Sequence, residues 1–507
     1  MSKAKRKERQ DAEAVKVMED ILSGRVKVGI HKKVNKRAQS NRVGGASGTQ
    51  GHNQLAECYI RLLRFILPGI LVLISKLGDP RNEAKVIHPL PMVMLYGILM
   101  FLSHMPSRRA ANREIGGSKV DGLMEWLLGE FRRIPHADTL ARLLAGINEN
   151  SLEEQYEELI RVFIKSDTFR EINPGRLLVL IDGSHKFSRT YMWDSRALSR
   201  NAGDIEKERY FAYMLESMLL LPNGMLLPLL TEPMENGESL DGNGKQDCET
   251  KAFKRLASHL AKLLGKGCVT VVADGLYATG PIISLCKNNA WEFMISLKSD
   301  CLKSVWEDFD GLRKIETDNA YTAYWGNRLQ QYRWSNDIEY IYGNNHKKLS
   351  LNVVECIETW VEQNPRKKGK PPSEQQTYYA WLSSKKVTEQ NVFELCTQIA
   401  RGRWRIENRF LTLKRQGPQY SHCFSYNWNA MKGFHSLMKF ANFINVIISF
   451  SEYMTQYINA EGIRYSIEKA WKVLLYDGVC LESDEFTLTH DNRKIISFSK
   501  LKIKPVV

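Results

Sequence analysis

The sequence lacks the arrangements by which cysteine organises a small or metal-bound fold. Its nine cysteines (Cys58, Cys248, Cys268, Cys286, Cys301, Cys356, Cys396, Cys423, Cys480) are odd in number and contain no C-x-x-C pair. That spacing argues against a disulfide framework and a zinc knuckle, and it fits a reducing cytoplasm. Long apolar runs are missing too. Phe65 to Ser75 is interrupted by Pro68 and Gly69, and Met92 to Leu102 is bracketed by Pro89, Pro91 and Pro106. A spanning helix needs about 20 mostly apolar residues, so both runs read as buried core helices and no membrane partner is expected. No signal peptide is expected either, because the N-terminus is charged and has no apolar h-region. Neither a helix-turn-helix nor a zinc module stands out.

What the chain has is positive charge. Over 507 residues, 72 Lys and Arg outweigh 57 Asp and Glu, a net charge of +15. Such a surplus favours a polyanionic partner, because cations that neutralise phosphates release condensed counterions. Residues 1–50 supply more than half of it and close on the small, polar stretch GGASGTQGHNQ. This arm reads either as a solvated tail or as a basic segment that docks on DNA.

The pattern then divides the chain. Residues 51–175 have apolar spacings of three and four, which predict helices. Asp138 and Ser151 are expected to head two of them, Ser151 with Glu154 as a capping box. Arg108, Arg109 and Arg113 are either phosphate contacts or ordinary wet surface. From 176 to 298 the character is α/β. LLVLI runs into Asp182, Asn223-Gly224 joins two apolar runs as a hairpin signal, and VTVVA runs into Asp274. Residues 299–376, rich in Tyr and Trp with alternating polar positions, predict an antiparallel β-rich insertion containing the basic loop Arg366 to Pro372. Residues 377–450 return to α/β character, and 451–507 form a largely helical C-terminal region with a strand-like end.

Two carboxylates stand where charge is costly, each at the end of a wholly apolar run. An ionised carboxylate there needs a cation or hydrogen-bond donors. On neighbouring strands the two would repel, and Mg²⁺ or Mn²⁺, which take hard oxygen ligands, would relieve that repulsion. The plain alternative is that Asp182-Gly183 and Asp274-Gly275 are turns. A third segment, RGRWRIENRFLTLKR, places Arg403, Glu407 and Lys414 within roughly 40° of one another on an ideal helix. Ile406, Phe410 and Leu413 are then free to face the core. That stripe reads as a surface ion pair or as a metal ligand flanked by phosphate-binding cations. Trp404 beside it would pack in the core or stack on an unpaired base. His185, three residues after Asp182, reads as a structural histidine or a proton-transfer group.

On these motifs the sequence resembles the DDE transposases of bacterial insertion sequences, in the IS-four-like group, over roughly residues 90 to 450. LLVLIDGS supplies the first Asp, VTVVADGLY the second, and Arg403, Glu407 and Lys414 match the Tyr-Arg-Glu-Lys signature, with Ala400 at the Tyr position. The resemblance implies a ribonuclease-H-like catalytic core with a β-rich insertion between the second Asp and the Glu. It implies Asp182, Asp274 and Glu407 as catalytic ligands of two metal ions, with Arg403 and Lys414 on DNA, where the residue reading adds Trp404 as a stacking contact. It further implies strand cleavage and strand transfer on terminal inverted repeats and target DNA, by at least a homodimer on DNA. A domesticated DNA-binding relative without cutting activity would be expected to have lost a carboxylate, and none is lost here.

Overall fold

The computed structural model describes residues 28–31, 49–116, 134–148, 150–201, 204, 207–237, 246–362, 373–477 and 496–503. Most of the basic arm and the loop Arg366 to Pro372 lie outside them. In chain order, strand β1 (Val28–His31) is followed by helices α1 (Thr49–Arg64), α2 (Leu67–Ile74), α3 (Leu90–Leu102), α4 (Arg108–Glu114), α5 (Ala137–Gly146), α6 (Ser151–Lys165) and α7 (Asp167–Ile172). Next come β2 (Leu177–Arg189), β3 (Leu198–Arg200), β4 (Arg209–Leu220), β5 (Leu226–Met234), α8 (Glu249–Leu264), β6 (Val269–Ala273), α9 (Gly280–Asn288), β7 (Glu292–Ser296) and α10 (Lys303–Leu312). The antiparallel strands β8 (Ala320–Trp325), β9 (Arg328–Tyr342), β10 (Lys347–Glu362) and β11 (Ser373–Ser383) precede α11 (Trp404–Arg415), α12 (Trp428–Ser449), α13 (Glu452–Glu461) and α14 (Ile463–Lys472). The architecture is α/β with a mixed sheet.

The chain divides into two compact units, the first made of residues 1–37, 178–182 and 264–406, the second of 38–177, 183–263 and 407–507. In the first, the strands run in the order β1-β8-β9-β10-β11-β7-β6-β2. β10 and β11 pair from Asn352↔Ser383 to Glu362↔Ser373, and β11 also pairs antiparallel with β7, which lies parallel to β6. The Tyr- and Trp-rich strands are thereby continuous with the strands that carry the apolar runs. Their interior is not purely apolar. Glu358 on β10 is wholly buried and accepts from Arg328, Arg401 and Gln330 (2.8 Å), so its charge is met twice.

In the second unit, β4 and β5 form the expected hairpin. Leu220 faces Leu226 across it, and Gly224 supplies the positive φ (86°) that the turn requires. The core is α12, whose side chains are buried almost all round and pack against α3, α5, α6 and β5. Both broken apolar runs are buried helices, α2 and α3. Among the described residues no helix is long and apolar enough to cross a membrane.

Two helix starts differ from the sequence expectation. α5 is capped by His136, whose side chain accepts from the Asp138 N–H, while Asp138 sits inside the first turn. α6 is headed by Asn150 without a side-chain cap. The Ser151 hydroxyl donates back to the Asn148 carbonyl (2.7 Å), so it is not spent on a capping box. In the arginine cluster Arg108 pairs with Asp138 and Arg113 with Glu114, both at the surface.

Candidate active site

The first aspartate does not end its strand. β2 continues seven residues past Asp182 to Arg189, with Ser184, Lys186 and Phe187 buried beyond it. The strand persists through these polar positions because tertiary partners satisfy them. Lys186 Nζ donates to the Tyr420 carbonyl (3.2 Å), lies 4.6 Å from the centre of the Tyr420 ring, and stands 3.4 Å from His435 Nδ1. Burial depresses the Lys186 pKa to about 8. The glycine after Asp182 serves close approach, since a Cβ at Gly183 would stand 2.5 Å from the Tyr213 ring and 2.8 Å from the Glu249 carboxyl carbon. Gly183→Ala is expected to cost about 1–3 kcal/mol through overpacking, read as a lower midpoint in thermal or urea unfolding.

The second aspartate is a cap as well as an ionised acid. Asp274 follows the fully buried β6, and its Oδ1 accepts from the Gly275 N–H (2.6 Å), opening a 3₁₀ turn over Gly275–Tyr277. Its Oδ2 pairs with Lys298 Nζ at 2.9 Å. Burial opposes ionisation, yet the Lys298 contact, the Gly275 N–H and the charge of Arg403 hold the carboxyl below the usual carboxylate range. Gly275 also makes room, because a Cβ there would stand 2.8 Å from Cγ of Lys298. β6 and β2 are neighbours in the first unit, so Asp274 follows the end of the strand adjacent to the one that carries Asp182.

The third segment is less regular than an ideal helix. Arg403 ends a 3₁₀ turn, Ala400–Arg403, and the α-helix begins at Trp404. Only Glu407 and Lys414 therefore share an α-helical phase, seven residues and about 20° apart. Ile406, Phe410 and Leu413 are buried, as the stripe requires. Arg403 lies in the first unit, where its charge acts on Asp274; Glu407 and Lys414 lie in the second. Glu407 is exposed. Lys414 is half-buried, its ammonium 5.7 Å from the centre of the Tyr420 ring. Trp404 is 49% exposed with its edge toward Tyr379 (6.2 Å), so it is not a core residue. Ala400 is buried.

His185 stacks on Phe211 (5.8 Å). Burial, then the charges of Arg200 and Lys414, keep its pKa below the usual imidazole value, so near neutral pH it is an uncharged ring. Among the described residues no three His, Cys, Asp or Glu side chains are gathered as a metal-holding group. The donors on the adjacent strands nevertheless fit a hard divalent cation. They are carboxylate oxygens, one already held ionised by an ammonium group.

Sequence reasoning missed Lys298. The available signal was its position just after the apolar strand WEFMIS, which lies parallel beside the strand leading to Asp274. It also missed Arg401, which reaches Glu358 while its guanidinium lies 4.8 Å from the Trp325 ring centre and 5.0 Å from that of Tyr379.

Two family models match the chain: the transposase DDE domain over residues 245–441, and the segment described as DDE_Tnp_1-associated over 71–160. The first match contains Asp274, Glu407 and Lys414. The α/β fold with its mixed sheet agrees with the ribonuclease-H-like fold of such domains. No curated protein matches the chain.

Proposed function

This chain is a DDE-type transposase, a metal-dependent nuclease and transferase, and on that premise we propose that it cuts and joins the ends of an IS-four-like bacterial element. Asp182, Asp274 and Glu407 are the residues that would hold two Mg²⁺ or Mn²⁺ ions. When bound, such ions supply Lewis-acid charge at the scissile phosphate and an activated water. The chain's own groups do the rest. Lys298 keeps Asp274 ionised until the site is loaded. Arg403 and Lys414 neutralise phosphate charge and set the strand's register, and exposed Trp404 offers a face on which an unpaired base can stack. The helical region 51–175 and the basic arm 1–50 bind the terminal inverted repeats. Joining two ends calls for at least a homodimer on DNA.

The observation that carries this reading is Asp274, held by Lys298 and the Gly275 N–H inside the matched DDE domain, at the end of the strand that neighbours that of Asp182. The test is a plasmid carrying the inverted repeats that flank the gene, incubated with purified protein. Breaks at the repeat ends with Mg²⁺ or Mn²⁺, and none with EDTA, are expected. Metal-independent cutting, or binding of the ends without cutting under any metal condition, overturns the proposal. A related outcome concerns Lys298→Met. The ammonium competes with a metal ion for the same carboxylate, so the variant is expected to reach half-maximal cleavage at several-fold lower Mg²⁺, measured by metal titration of end cleavage.

A further inference from the structure

The second unit contains a cavity of about 610 Å³ against the inner side of α11, in the size range of small-ligand sites. Phe101, Leu226, Leu413 and Val446 give it apolar walls, and the polar groups in the lining are mostly spent inside the protein. Thr412 donates to the Asn408 carbonyl (3.0 Å), and Asn445 is held by Tyr59 and by the Leu102 carbonyl. Arg409 is the charged group among them. Its Nη2 reaches Asn442 Oδ1, while its Nε is buried with no hydrogen-bond partner among the described residues.

No carboxylate among the described residues pairs with Arg409. Its side chain has one hydrogen-bond partner among the described residues, the Asn442 side-chain oxygen. A guanidinium that no carboxylate meets and whose Nε is buried without a partner is costly, and an apolar side chain of similar length would fill the space without that cost. The arrangement is therefore unfavourable for an empty cavity and favourable for one that receives a counter-charge. A single guanidinium fork matches a flat monoanion better than a phosphate dianion.

We propose that this cavity is a binding site for a small amphipathic carboxylate. The carboxylate lies on Arg409 and the amide of Asn442, and the apolar body runs along Phe101, Leu226, Leu413 and Val446. Arg409 and Leu413 belong to the helix that carries Glu407 and Lys414, so an occupant supports the concealed side of that helix. The site is independent of the DNA reading.

The test uses the full chain and two probes of equal length, decanoate below its micelle concentration and the neutral decan-1-ol, in calorimetric titrations. Decanoate is expected to bind at least about tenfold more tightly than decanol, the discrimination of one charge-assisted contact. Arg409→Leu is expected to erase that preference and to melt no lower than the wild type without ligand, because the unpaired charge is gone. Val446→Trp, which fills the cavity and leaves Arg409 in place, is expected to abolish binding of both probes. Equal binding of the two probes by the wild type, no binding by folded wild type, or a decanoate preference surviving in either variant overturns the proposal.

Discussion

Asp274→Asn and Glu407→Gln are each expected to slow cleavage at transposon ends by about 10³-fold or more, while the affinity for end DNA stays within about twofold. Asp182→Asn should do the same. Loss of fold is not the reason. Asn at 274 keeps the oxygen that accepts from Gly275 and loses the pair with Lys298 and the attraction to Arg403. That lysine is half exposed, so the pair contributes at most about 1 kcal/mol. Glu407 is exposed and Asp182 half-buried, so amides are tolerated at both. Thermal midpoints close to the wild type, normal gel shifts on repeat DNA and absent cleavage products are the expected combination. Variants that cut at wild-type rates would remove the three carboxylates from the reaction.

Glu216→Ala is expected to destabilise the protein by about 1–3 kcal/mol for each buried donor left without its acceptor. Glu216 on β4 is buried and accepts from Thr231 Oγ1 (2.7 Å) and the Tyr420 hydroxyl (2.9 Å), with His435 Nε2 at 3.2 Å. Removing its carboxylate strands these donors and leaves Lys186 without the opposite charge that acts on it most strongly. Burial opposes its ionisation, but His435, Lys439 and Thr231 bring its pKa down to about 2, below the usual carboxylate range. A carboxyl depressed on folding adds stability that is present above its unfolded pKa and lost as pH falls toward the folded one. The stability gap between wild type and Glu216→Gln should therefore close as pH falls from 4.5 toward 2. Urea unfolding across that range measures it. A constant gap would mean that Glu216 gains nothing from ionisation.

Local signals were legible where local physics decides. Asn223-Gly224 specified a hairpin because a positive φ at Gly224 closes it, and VTVVA specified a buried strand because no position in it tolerates water. Signals failed where distant residues decide. Nothing near Lys186 in sequence tells that Tyr420 and His435 receive it, so the apolar run by itself places the end of the strand at Asp182. Ser151 had the right spacing for a capping box, but its hydroxyl had a closer acceptor in the preceding turn. The ideal-helix stripe was right for Glu407 and Lys414 and over-regular for Arg403, which a 3₁₀ turn removes from the helical phase. Of the two Asp-Gly pairs, the turn reading suits Asp274 and not Asp182. Only the geometry of the third dimension separates them.

Helix α12 sets a timetable for synthesis. α3 is buried on nearly every face, and much of its cover comes from residues 428–449. At about 5–20 residues per second, a ribosome needs roughly 15–65 s to travel from the end of α3 to the start of α12. Throughout that interval the nascent chain exposes LPMVMLYGILMFL without its partner. Products stopped before residue 428 can never cover it. The cell therefore has reason to clear truncated copies of this protein quickly, whatever catalytic residues they retain.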